Sequence, residues 1–178
     1  EKLLIDCKNF GTLSFAIMAR ISFIGSILLR SLQKKGIFGN NFYDIFINSI
    51  STPLTDIQND VLDLKNKRIS KQAFFKKYGH LRPGTYDITR DRYDKNDTFF
   101  SDIDFKKKVK PKRPQFNKKI VSELLLEHLD VQSNIDLFNL IRDAIMKREK
   151  LKFEFTKNLS DSLELIAKVG IMLGFTRD

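Results

Sequence analysis

The sequence predicts a mainly α-helical protein: one multi-helix domain with a long irregular loop over about residues 87–115. Three observations predict it. Apolar residues recur at three- and four-residue steps in one segment after another. Those segments are bounded by capping residues and glycine stops. No proline breaks the helical pattern between Ser133 and Leu173. At 178 residues, 42% hydrophobic and 30% charged, the chain can bury a core and is not disordered by composition. Phe occurs 16 times and Trp is absent, so packing leans on Phe, Leu and Ile.

Between Thr12 and Leu29 the only charge is Arg20, and Leu13, Ile17, Ile21, Ile24 and Leu28 keep helical spacing. Lys34-Lys35-Gly36 reads as a basic last turn with a glycine stop. The apolar run is long enough to invite a membrane span. Against a span, Arg20 would cost about 2.5–3.5 kcal/mol mid-bilayer, and Ser14, Ser22 and Ser26 add polarity. The expectation is therefore a buried central helix and no membrane partner. A guanidinium inside such a helix requires an acceptor, either an internal carboxylate or a bound substrate.

A short helix follows over Asn40–Ser51, with Phe42, Ile45, Phe46 and Ile50 inward. Thr52 caps the next, which opens at Pro53 and sets Leu54, Ile57, Val61 and Leu64 on one side. Ser70 caps a third, running to Tyr78 with Phe74 and Phe75 inward. Residues 87–104 are polar and without period, hence a surface loop. Their aspartates lack the glycine and terminal glutamate of a calcium loop, and no metal site is expected.

The net charge of +10 is concentrated between Phe105 and Ser122, where Lys106, Lys107, Lys108, Lys110, Lys112, Arg113, Lys118 and Lys119 meet no acid. Pro111 and Pro114 make that run a solvated strap rather than a helix face. No stacking aromatics interleave with it, and nucleic acid is not an expected partner. Asn117–Leu129 then reads as a helix with Ile120, Val121, Leu124, Leu125 and Leu129 on its apolar stripe and His128 near its end as a favourable cation. Ser133 caps the last helical stretch, with Asp136 in the capping-box position. One stripe there runs through Leu137, Ile141, Ala144, Arg148, Leu151, Phe155, Asn158, Ser162, Leu165, Val169 and Met172. Arg148 and Asn158 interrupt the buried face, with Lys152 one turn from Arg148. Either long stems snorkel to the edge of the core, or these residues and Arg20 line a cavity between helices.

The chain is organised around Lys77 to Arg90. Gly79 is expected to end the preceding helix in the left-handed conformation. Pro83-Gly84 suits the centre of a type II turn. The bend sets an imidazole (His80), a guanidinium (Arg82), a hydroxyl (Thr85) and a carboxylate (Asp87) on a short arc.

The segment Gly79-His80-Leu81-Arg82-Pro83-Gly84-Thr85-Tyr86-Asp87-Ile88 resembles the Gly-His-Arg-Gly-Pro-Gly-type segment of the phosphoenolpyruvate-utilising phosphotransferases, the synthase-like and rifampicin-phosphorylating proteins. Within them it is closest to kinases of bacterial surface-polysaccharide clusters, one of which acts on glutamine. Gly11 to Arg20 and Lys152 to Asp161 resemble the same subgroup. The resemblance implies a multidomain enzyme in which an ATP-grasp domain, with ATP and Mg, charges a histidine on a swivelling domain. That histidine passes the phosphoryl group to a small acceptor. Neither His80 nor His128 has the swivelling histidine's small-residue context, so this chain would be the acceptor-binding part and inactive alone. The candidate substrate-binding residues are His80, Arg82, Thr85 and Asp87 on the bend, with Arg20, Arg148, Lys152 and Asn158 from the helix faces, and Arg82 first for phosphate contact. The chain starts at Glu1 without methionine and carries one cysteine, Cys7, which fits a piece of a larger cytoplasmic protein. Alternatives of other classes are a basic helical module on anionic surfaces, a membrane-anchored fragment and a purely structural connecting domain.

Overall fold

The computed structural model describes residues 1–96, 118–129 and 137–177, and among them it is all helix and turn, without a strand. The elements are α1 (Lys2–Asp6), a π-helical turn (Cys7–Thr12), α2 (Leu13–Lys34), α3 (Phe42–Asn48), α4 (Pro53–Lys65), α5 (Lys71–Tyr78), α6 (Lys118–Leu129) and α7 (Leu137–Met172). The mainly α expectation holds, and α7 runs unbroken for 36 residues. The basic strap up to residue 117, the loop beyond residue 96 and the Ser133 cap lie outside the described residues, as do the side chains of Val121, Leu124, Leu125, His128 and Leu129.

Local chemistry places the helix ends. Gly36 takes φ +76°, and the Ile37 N–H bonds the Leu32 carbonyl at 3.1 Å, the glycine stop expected after the basic turn. The Thr52 N–H donates to Thr55 Oγ1 at 2.9 Å, ahead of Pro53. Ser70 Oγ accepts from the Ala73 N–H at 3.1 Å.

The chain divides into two compact units. The first comprises Glu1–Ala16, Thr52–Val109 and Glu149–Asp178. Its core is Val61, Phe74 and Tyr78, with Ile57, Leu64, Leu81, Tyr93 and Phe153 packed around them. Near the start of the chain, Gly11 lies against Phe155 so closely that a Cβ there would stand 2.5 Å from Phe155 Cβ. Phe15 meets the same ring edge-on at 5.5 Å.

The second unit comprises Ile17–Ser51 and Lys110–Arg148. Phe138 of α7 is its centre, with Phe38, Phe42 and Phe46 all ringed about it at 5.9–6.0 Å. Leu29, Ile50, Ile141 and Ile145 complete the core.

Helix α2 corrects the sequence reading. The expected core stripe is largely outward: Leu13, Ile17 and Ile24 are exposed, and Ile21 and Leu28 are half-buried. The buried face is instead Ala19, Ser22, Gly25 and Leu29. Small side chains explain the reversal, because they let α7 approach closely. At Gly25 an added Cβ would be 2.6 Å from Ile141 Cγ1. Arg20 is accordingly exposed and makes no hydrogen bond or ion pair among the described residues, rather than sitting inside a core. On α7 the expected stripe is covered at Ile141, Ala144 and Ser162, but Leu165, Val169 and Met172 are exposed. Leu54 of α4 and Ile45 of α3 are likewise outward.

Candidate functional site

The site is the corner after α5 in the first unit. Tyr78 ends the helix fully buried, its hydroxyl donating to Asp60 Oδ2 at 2.6 Å, while Lys77 Nζ reaches the same oxygen at 2.8 Å. Burial first, then the hydrogen bond to Asp60, pushes the Tyr78 phenol upward and keeps it protonated. Gly79 is not left-handed as expected; its φ is −58°. Its lack of a side chain matters for another reason. A Cβ would stand 2.5 Å from the Phe75 carbonyl oxygen and 2.8 Å from Asp94 Cβ, where the returning loop bonds Gly79 O through the Asp94 N–H at 3.2 Å. The left-handed residues are Gly84 (φ +71°) and, against its Cβ, Thr85 (φ +40°). The Thr85 N–H closes the turn on Arg82 O at 3.3 Å.

His80 and Arg82 both point inward. His80 is 7% exposed, edge-on to the Phe153 ring at 4.9 Å, and its backbone carbonyl accepts from Ser160 Oγ at 2.6 Å. As a hydrogen-bond acceptor the Phe153 carbonyl favours the charged imidazole, and Nε2 has no partner. Burial, then the charges of Lys157 and Arg92, lower the His80 pKa to about 4.

The Arg82 guanidinium is held from all sides by protein. Nη2 donates to Ser160 O at 3.2 Å, Ser160 Oγ at 3.0 Å and Glu164 Oε1 at 2.9 Å. Nη1 donates to the carbonyls of Asp87 and Arg90 at 3.3 Å each. Only Nε lacks a partner. Glu164 Oε1 is shared with Arg177 Nη2 at 2.5 Å. Burial alone would raise the Glu164 carboxyl; the hydrogen bond and charge of Arg177, then Arg82, hold it below the usual range. Arg177 Nε also donates to Ile88 O at 2.7 Å and Nη1 pairs with Asp91 at 3.1 Å. Arg92 ties the loop to α7 through Asp161 at 2.5 Å.

The remaining expected residues fall as follows. Asp87 Oδ1 accepts from the Thr89 hydroxyl at 2.7 Å and the Thr89 N–H at 3.0 Å, bonds that lower its pKa, with the Arg90 charge adding to them. Thr85, Lys152 and Asn158 are half-buried in the same unit; the Asn158 carbonyl accepts from Ser162 Oγ at 2.8 Å. Arg20 and Arg148 belong to the second unit. There Arg148 Nη1 donates to Ser22 Oγ at 3.0 Å, and its guanidinium lies 5.5 Å from the Phe23 ring centre. The structure therefore brings His80, Arg82 and Asp87 onto one corner, and Arg20 and Arg148 belong to the other unit. Sequence reasoning missed Ser160, Glu164 and Arg177. The available signal was the Ser160–Glu164 spacing, which puts both on one face of a helix.

Folding lowers the His80 pKa, so between pH 6.5 and about 4 the unfolded chain binds the proton more tightly. Stability is fully present above pH 6.5 and falls as pH drops through that window, by about 2 kcal/mol after allowing for solvent screening. Denaturant melts at stepped pH should show this slope, and His80→Phe should flatten it.

No family model, no curated protein and no solved structure matches this chain.

Proposed function

We propose that the chain is the helical acceptor-binding part of an ATP-dependent phosphotransferase that resembles the phosphoenolpyruvate-utilising enzymes. In this reading a histidine on another domain of the polypeptide carries the phosphoryl group to a small acceptor. An amide such as glutamine is the favoured acceptor, for modification of a bacterial surface polysaccharide in the cytoplasm. ATP and Mg belong to the ATP-grasp domain and supply the phosphoryl group there.

One observation carries the proposal. The three segments on which the resemblance rests are distant in sequence, yet residues from each meet in the first unit, with Ile17–Arg20 of the first segment in the second unit. Gly11 and Phe15 lie on Phe155, His80 on Phe153, and Arg82 on Ser160.

Phosphoryl transfer asks the protein for positioning and charge compensation. In this reading Arg82 would act by positioning, since its fork is occupied by Ser160, Glu164 and two carbonyls. His80 Nε2, which has no partner, is the group to hydrogen-bond the acceptor's N–H or O–H when the loop yields. Thr85, Asp87, Lys152 and Asn158 belong to the same unit and would orient acceptor and phosphoryl oxygens.

The test is phosphoryl transfer by the polypeptide that carries this chain, followed by phosphorus NMR with glutamine and related amides. The expected result is a phosphorylated amide, with His80→Gln lowering its formation at least ~tenfold while phosphohistidine formation on the other domain is unchanged. No phosphohistidine and no acceptor product would point instead to the second reading, a non-catalytic basic helical module. That reading is favoured by the net charge of +10.

A further inference from the structure

The outward face of α2 is independent of the phosphotransferase reading. We propose that from Ile17 to Lys35 it is a docking surface for an anionic lipid membrane, lying along the headgroups rather than crossing them. Ile17, Phe23, Ile24 and Ile27 are 45%, 58%, 67% and 66% exposed. At about 100° per residue they share one arc with Arg20, Arg30 and Lys34, opposite the buried Ser22, Gly25 and Leu29.

Charge identifies the occupant. From Cys7 to Tyr43 there is no Asp or Glu, whereas Arg20, Arg30, Lys34 and Lys35 are exposed. Apolar side chains that enter the acyl boundary, set among cations and no acid, match an anionic bilayer surface. The helical stretch Lys2–Lys34 that contains α2 is long and apolar enough to span, and 22% of its most apolar window is buried, unlike a core helix.

Spanning is disfavoured by the packed face. There Ser22 holds the guanidinium of Arg148, and α7 brings Arg142, Asp143 and Lys147 along with it. A second copy docked face to face is disfavoured too, because Arg20, Arg30 and Lys34 would meet like charges.

Flotation of the full chain with vesicles tests this. Phosphatidylcholine vesicles containing phosphatidylglycerol should carry the protein, pure phosphatidylcholine should not, and added salt should release it. Ile24→Asp with Ile27→Asp, and separately Arg20→Glu with Lys34→Glu, should each reduce flotation at least ~tenfold without changing the circular dichroism or melting midpoint. The charge pair keeps the test valid if the apolar pair disturbs folding. A folded chain that ignores both vesicles overturns the proposal, as does equal binding to both. A lipid-free dimer abolished by the same substitutions overturns it in favour of a second copy.

Discussion

Replacing Arg82 by alanine is expected to lower the unfolding free energy by about 3–5 kcal/mol. The side chain is 1% exposed and its loss removes five hydrogen bonds at once, to the carbonyls of Asp87, Arg90 and Ser160, the Ser160 hydroxyl and the Glu164 carboxylate. Each buried polar group left without its donor costs about 1–3 kcal/mol. Glu164 is partly spared, because Arg177 still reaches it. Arg82→Lys should recover less than half of the loss, since a point charge cannot reach acceptors on both sides of the fork. Urea denaturation of the three proteins measures it. If Arg82→Ala were within about 0.5 kcal/mol of the parent, the guanidinium would not be the pin described here.

Gly25→Val is expected to cost the second unit about 1–3 kcal/mol, at the upper end because the first added carbon already falls 2.6 Å from Ile141 Cγ1 and 2.9 Å from Cγ2. Valine's small helix-propensity gain over glycine, a few tenths of a kcal/mol, opposes this without reversing it. Ile141→Ala in the same chain should return part of the loss, because it opens the space the valine needs. Melting of the two single variants and the double gives the coupling. Strict additivity would mean that the two residues do not meet.

Both effects show where the sequence was legible. Helix existence and ends followed from local chemistry: Gly36, Thr52, Ser70 and Pro53 act within a few residues of themselves. Helix orientation did not follow. A stripe of Leu13, Ile17 and Ile24 looks like a core face under periodicity alone, but Gly25 and Ser22 decide the packing by admitting Ile141 and Arg148. Size reads as hydrophobic driving force, whereas close approach is a pairwise property of two helices.

At the corner, the sequence placed His80, Arg82 and Asp87 together because they are neighbours along one bend. It could not show that the fork of Arg82 closes on Ser160 and Glu164, some eighty positions away. Nor could it show that Gly79 is glycine for the sake of Asp94 and the Phe75 carbonyl. Such contacts exist only once the loop has folded back.

The burial of His80 on α7 underlies both the pinned corner and the phosphotransferase proposal, and imidazole NMR titration reads it directly. With His128 replaced by glutamine to leave one signal, His80 should remain neutral down to about pH 4. A midpoint near the ordinary 6.5 would place the ring in solvent and contradict the account.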